Sequence, residues 1–86
     1  MDINDLIAIV KKKLINQIVI EKIDIKDKSF LHKNHSGQQE GKFHLKLIIN
    51  SKELKRLNRI ESNKKIYKVL NEEMKYHVHS LQILIS

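Results

Sequence analysis

The chain of 86 residues contains no cysteine, no proline and only two glycines. Without cysteine it cannot form a disulfide, act through a thiolate nucleophile or supply a thiolate ligand to a metal. Small secreted domains usually depend on disulfides for stability, so this absence favours a reducing, cytoplasmic environment.

Membrane and secretion signals are also missing from the sequence. No apolar run approaches the roughly 18 residues that are required to span a bilayer. The first five residues, Met1 to Asp5, are acidic and polar, unlike the basic start of a signal peptide. We expect a cytoplasmic protein without a membrane partner.

Positive charge is concentrated in one stretch of the chain. The net charge is +7, and residues 52–68 hold seven basic and two acidic residues, so five of the seven net charges lie there. A basic helical segment of this kind attracts polyanions, although lysines on a helix often serve only as a solvated surface. The candidate nucleic-acid-binding residues are Lys55, Arg56, Arg59, Lys64, Lys65 and Lys68.

Hydrophobic periodicity predicts a helix, two strands, two helices and a third strand. Apolar residues between Leu6 and Ile15 recur at helical spacing, and an alternating pattern predicts a strand over about residues 19–26. The polar residues 27–41 contain both glycines and predict a long loop. Alternation resumes at Phe43, and Ser51 is a suitable N-cap for a short helix carrying Leu54, Leu57 and Ile60.

The rest of the pattern completes a single domain over residues 1–86. Ser62 or Asn63 is expected to cap a longer helix that buries Ile66, Tyr67, Leu70 and Met74, and the third strand covers Val78 to Ile85. The order α-β-β-α-α-β predicts an antiparallel pair followed by a parallel crossover. The result is an α+β fold with a three-stranded mixed sheet covered by helices on one face.

This topology brings histidines together. The loop joins the first two strands, and a third strand parallel to the second begins at the same end of the sheet. His79 is therefore expected near His32 and His35 of the loop and near His44 of the second strand. Strand alternation alone would place His79 on the same face as Leu81 and Ile83, where a histidine is often a packed core residue.

The sequence resembles the BolA-like family in the order and spacing of several short motifs. They are Asp27-x-Ser29-x-x-His32-x-x-His35-x-Gly37, His44-Leu45-x-Leu47, Lys64-x-Ile66-Tyr67-x-x-Leu70-x-Glu72-Glu73-Met74 and Val78-His79-Ser80-Leu81. The resemblance covers nearly the whole chain. It departs at Ser62-Asn63, where members typically have an Arg-His pair, and at Leu54 and Arg56, where an aromatic and a glycine are usual.

The resemblance implies a fold of the class II KH type and a protein that is not an enzyme. It implies that the chain partners a monothiol glutaredoxin and shares a [2Fe–2S] cluster, to which the glutaredoxin cysteine and glutathione supply sulfur. His79 corresponds to the principal histidine ligand and His32 to the second, with His35 as its competitor. Some family members are described as DNA-binding transcriptional regulators. Alone, the chain is expected to be a monomer or a weak homodimer.

Other chemistries have weaker sequence support. His77 and His79 could chelate zinc as an i, i+2 pair on a strand. Asp27, Ser29 and His32 share a loop, but their spacing does not orient a catalytic triad, and no phosphate-binding glycine motif or small-molecule site is evident. The segment Gly37 to Gly41 also lacks the Gly-x-x-Gly spacing of an RNA-binding KH loop.

Overall fold

The computed structural model describes residues 1–29 and 42–86. Within these ranges the elements follow the predicted order, with one additional short helix. They are α1 (Ile3–Gln17), β1 (Lys22–Asp27), β2 (Phe43–Asn50), α2 (Lys52–Lys55), α3 (Arg59–Val69), α4 (Asn71–Tyr76) and β3 (Val78–Ile85).

The predicted sheet topology is confirmed. The strand order is β1-β2-β3, with β1 antiparallel and β3 parallel to the central strand β2. Leu45, Leu47 and Ile49 of β2 are at most 2% exposed, and Leu47 and Ile49 have apolar neighbours on both sides, including Ile25 opposite Leu47 in β1 and Ile83 beside it in β3. This alternation gives the sheet one apolar face and one mixed face.

The helices cover the apolar face of the sheet. Leu6, Val10 and Leu14 of α1 are fully buried at the i, i+4 and i+8 positions and join Ile66 of α3 in the same core. Asp2 caps α1 by accepting a hydrogen bond from the Asn4 N–H at 2.7 Å. The α+β fold with helices packed on a three-stranded mixed sheet is therefore confirmed.

The predicted start of β1 near residue 19 is wrong. The Val19 carbonyl accepts a hydrogen bond from the Ser51 hydroxyl at 2.7 Å, and the Val19 N–H donates to Glu53 at 3.3 Å. Because these groups are used by the α2 region, the first hydrogen bond to β2 is from the Glu21 N–H to the Asn50 carbonyl, and the paired residues of β1 begin at Lys22, opposite Asn50.

The predicted capping of the long helix at Ser62 or Asn63 is also wrong. Asn58 is the N-cap and accepts a hydrogen bond from the Glu61 N–H at 2.8 Å, which is half of a capping-box arrangement. Ser62 lies inside α3, and its hydroxyl donates to the Arg59 carbonyl at 3.0 Å. Ser51 caps α2 as predicted, by accepting from the Leu54 N–H.

The helical region is divided differently from the prediction. The short helix α2 ends at Lys55, so Leu57 lies after it and Ile60 belongs to α3, where it is 67% exposed. The longer helix is interrupted at Leu70, which places Met74 in α4, and Tyr67 is 40% exposed rather than buried. Among the helices of the described ranges, none is long and apolar enough to cross a membrane.

Candidate functional site

His44 occupies a buried position at the end of the sheet where the β1–β2 connection begins. Only 5% of the residue is exposed. Its Nδ1 is hydrogen-bonded to the Ser80 hydroxyl of β3 at 2.5 Å. Its backbone N–H donates to the Ser29 hydroxyl at 3.0 Å. His44 therefore links β2 to β3 and to the chain leaving β1.

The chain leaving β1 is held by local hydrogen bonds. The Ser29 N–H donates to the Asp27 carboxylate at 2.9 Å, which is an Asx-turn arrangement, and the Lys28 N–H donates to the His44 carbonyl at 2.7 Å. Phe43 begins β2 beside β3, because its N–H donates to the His77 carbonyl at 2.9 Å. Both ends of the segment that joins β1 to β2 thus lie close to His44.

A β-bulge sets the position of His79. Phe43 pairs with Val78 and His44 pairs with Ser80, so His79 is an extra residue of β3 at this point in the parallel ladder. His79 is exposed, and its ring centroid lies 4.9 Å from that of His44, with the rings tilted by 58°. Because of the bulge, His79 does not lie on the same face of β3 as Leu81 and Ile83, where strand alternation alone would place it.

The predicted proximity of histidines is confirmed for His44 and His79. We call the cluster of His44, His79 and Ser80 the histidine end. The other two candidate ligands, His32 and His35, lie outside the described residues. In the part of the chain that the structure describes, no group of three or more His, Cys, Asp or Glu side chains could hold a metal ion. Here the histidine end presents one exposed imidazole, that of His79.

The candidate basic residues divide between two surfaces. Lys64, Lys65 and Lys68 line a groove of about 790 Å³ between α1 and α3. Lys55 and Arg59 line a smaller pocket of about 360 Å³ beside the end of β3. Arg56 is exposed at the end of α2. The basic residues therefore do not form one continuous stripe along a single helix.

Lys65 of the α1–α3 groove is engaged in an ion pair. The Lys65 Nζ lies 2.7 Å from a Glu53 carboxylate oxygen, and this hydrogen bond is the main reason that the pKa of Glu53 is lowered from its ordinary value. Lys64 and Lys68 are exposed and lie four residues apart, on the same side of α3. They are better placed than Lys65 to contact a polyanion.

Lys13 of α1 pairs with α4. Its Nζ lies 2.6 Å from Glu73, whose side chain is 6% exposed, and 3.6 Å from Glu72. The hydrogen bond to Glu73 is the largest cause of a raised pKa for Lys13. Sequence reasoning missed this pair, because nothing in the spacing of residues so far apart in the chain indicates that they meet.

The fold and the histidine end define a class of protein: a small α+β module with a β-β-α-β core and an accessible histidine at the start of its last strand. The chain belongs to the BolA-like protein family, whose sequence profile matches residues 14–86. It is 27% identical over 75 residues, which is 87% of this chain and 70% of the relative, to the DNA-binding transcriptional regulator BolA of Haemophilus influenzae.

Solved structures of BolA domains share the fold. The BolA domain of SufE1 from Arabidopsis thaliana has a TM-score of 0.76 at 24% identity, with 92% of this chain and 87% of that chain covered. BolA1 from Mus musculus has a TM-score of 0.72 at 19% identity, with 90% and 60% covered. At these identities the similarity shows the fold alone.

Proposed function

We propose that the chain is a cytoplasmic, non-catalytic adaptor that binds a monothiol glutaredoxin and shares a [2Fe–2S] cluster with it. His79 is the principal ligand from this chain, and a loop histidine, His32 or His35, is the second. The cluster is cargo that the two proteins hold together with glutathione, and the chain acts in iron–sulfur trafficking or iron-dependent regulation.

The observation that carries this proposal is the exposed imidazole of His79 beside the buried His44. A neutral imidazole is a competent iron ligand, and a chain without cysteine has no thiolate to offer. The bulge fixes the backbone at His79, while the hydrogen bond between His44 and Ser80 fixes the neighbouring ring. Such a support holds a ligand at the protein surface, where the ligands of a partner can complete the coordination.

The direct test combines this protein with a monothiol glutaredoxin, glutathione, ferrous iron and sulfide in the absence of oxygen. Visible circular dichroism is recorded for the mixture and for each protein alone. We expect a spectrum that neither protein gives by itself, because histidine ligation changes the electronic environment of the cluster. A mixture whose spectrum equals that of the glutaredoxin alone would refute the adaptor function.

A second candidate function is DNA binding, as in a transcriptional regulator. It is supported by the name of the Haemophilus influenzae relative and by Lys64 and Lys68, which lie exposed on one side of α3. Arg56 and Arg59 are the two arginines in the segment that are able to make bidentate contacts to guanine. The division of the basic residues between two surfaces makes this the weaker candidate.

Salt dependence distinguishes DNA binding from general polycation behaviour. In Lys64→Ala/Lys68→Ala the slope of log K against log salt is expected to become shallower by about 2, because each lysine releases about one counterion from DNA. The matched control is Lys11→Ala/Lys12→Ala, which removes the same charge from exposed positions of α1. Equal effects of the two pairs, or complete loss of binding at about 150 mM salt, would argue against a DNA-binding surface on α3.

A further inference from the structure

The two edge strands of the sheet differ in their protection against further pairing. In β1 the exposed positions are charged: Lys22, Asp24, Lys26 and Asp27. In β3, which is longer at eight residues, no residue is an aspartate, glutamate, lysine or arginine. Natural proteins usually place charges on edge strands to prevent unwanted pairing, so the uncharged edge of β3 is an exception that needs a reason.

The backbone of β3 has groups directed away from the sheet. The Ser86 N–H donates to Ile49 and the Ser86 carbonyl accepts from Ser51, so Ser86 faces β2. By strand alternation the N–H and carbonyl groups of Leu81, Ile83 and Ile85 face outward. Over residues 1–29 and 42–86 their one hydrogen bond is from the Tyr67 hydroxyl to the Leu81 carbonyl, at 3.5 Å.

Helix α3 provides an apolar surface beside this edge. Ile60, Asn63 and Tyr67 lie at i, i+3 and i+7 and so share one side of α3. Tyr67 reaches Leu81, and Asn63 lines the pocket beside Ile83 and Ile85, so this side of the helix lies next to β3. Ile60 is 67% exposed and Tyr67 is 40% exposed. A strand added to β3 would lie beside this side of α3.

The charge around the edge indicates what kind of strand would bind. Lys55 and Arg59 are the charged residues among those that line the pocket at the end of β3. Among the residues that the structure describes, no aspartate or glutamate lines this pocket. A second copy of this chain, with its net charge of +7, would be repelled. A negatively charged segment would be attracted.

We propose that the outer edge of β3 binds an extended acidic segment of a partner protein, which adds a strand to the sheet beside α3. The backbone of Leu81, Ile83 and Ile85 pairs with the segment, and its apolar side chains pack on Ile60 and Tyr67. Lys55 and Arg59 contact its carboxylates. This mode of recognition takes affinity from main-chain hydrogen bonds and specificity from alternate side chains. It does not depend on iron or on the histidine end.

The test uses the full chain without metal and a fluorescein-labelled peptide of alternating valine and glutamate. Fluorescence anisotropy at about 150 mM salt is expected to show saturable binding. Hydrogen exchange is expected to slow at the amides of residues 81, 83 and 85. A peptide of alternating valine and lysine is expected not to bind, because it carries the opposite charge.

Substitutions at Gln82 test whether the edge of β3 prefers a negatively charged segment. Gln82 is exposed on β3 and faces away from the core, so both variants should fold. Gln82→Glu is expected to lower the affinity for the acidic peptide about tenfold, whereas Gln82→Lys is expected to retain or raise that affinity. Ile60→Ser is expected to weaken binding as well, while Ile15→Ser, at a position on α1 that is 48% exposed, leaves it unchanged.

Three results would overturn the proposal. The first is peptide binding without protection of the β3 amides, which would mean attraction to surface lysines alone. The second is equal loss of binding in Gln82→Glu and Gln82→Lys. The third is protection of the β3 amides in the chain alone that rises with its concentration, which would identify a second copy as the occupant.

Discussion

Replacement of His79 by alanine is expected to abolish the visible circular dichroism spectrum that requires both this protein and a monothiol glutaredoxin. His79 is exposed at the bulge of β3 and presents the imidazole of the histidine end that is accessible to a partner. Without it the cluster returns to the ligands of the glutaredoxin and glutathione. The expected spectrum of the mixture is then that of the glutaredoxin alone.

Two controls separate ligand loss from unfolding. His79 is exposed, so alanine should change the free energy of unfolding by less than about 0.5 kcal/mol, as is usual for surface substitutions. His77 is two residues away at the C-terminal cap of α4, and it contacts β2 through its backbone carbonyl. His77→Ala should therefore retain the shared spectrum. An unchanged spectrum in a folded His79→Ala variant would contradict the assignment of His79.

Replacement of Lys13 by methionine is expected to destabilise the fold by about 2 kcal/mol. Removing one partner of a buried ion pair costs about 3–5 kcal/mol, because the remaining charge is buried without compensation. The Lys13 side chain is 37% exposed, so solvent screening reduces that cost, while the Glu73 side chain is only 6% exposed. Urea unfolding at neutral pH measures the difference, with Lys12→Met at an exposed position as the matched control.

The pH dependence of the same pair has a definite sign. The pKa of Lys13 is raised above its ordinary value of 10.5, so its charged form is stabilised by folding. The contribution is fully present below 10.5 and is lost as the pH rises through the raised value. The stabilities of wild type and Lys13→Met should therefore converge in alkaline solution. A constant difference across that pH range would mean that methionine acts through packing.

A double substitution examines the pair further. In Lys13→Met/Glu73→Leu both charges are replaced by apolar side chains, and much of the lost stability should return because no buried carboxylate remains. If the double variant is less stable than Lys13→Met, Glu73 contributes more than this ion pair.

The sequence was sufficient to predict β2, β3 and α1 because burial imposes a simple period on them. Leu45, Leu47 and Ile49 alternate with less buried residues, and Leu6, Val10 and Leu14 recur every turn. The N-cap at Ser51 was also predictable. Asn58 was missed because Ser62 and Asn63 are equally good capping residues by type, and Leu57 and Ile60 on either side of Asn58 were expected to belong to the preceding helix.

The sequence was sufficient to predict which end of the sheet holds the candidate site. A parallel third strand necessarily begins at the end where β2 begins, which is why His44 and His79 meet. The bulge was not predictable, because it depends on how Val78 and Ser80 are paired with Phe43 and His44. The ion pair between Lys65 and Glu53 was not predictable either, because it joins two different helices. This ion pair makes Lys65 less available than Lys64 and Lys68 for contact with a polyanion.

The parallel pairing of β2 with β3 also has a kinetic consequence. Among the described elements β2 follows β1 and pairs antiparallel with it, whereas β3 reaches β2 only after α2, α3 and α4. Closing so long a stretch of chain costs entropy before its contacts form, so this pairing should come late in folding. During synthesis, His44 would emerge from the ribosome long before His79 and Ser80. The histidine end is thus completed only when the last strand docks, and a partly synthesised chain would not yet present it.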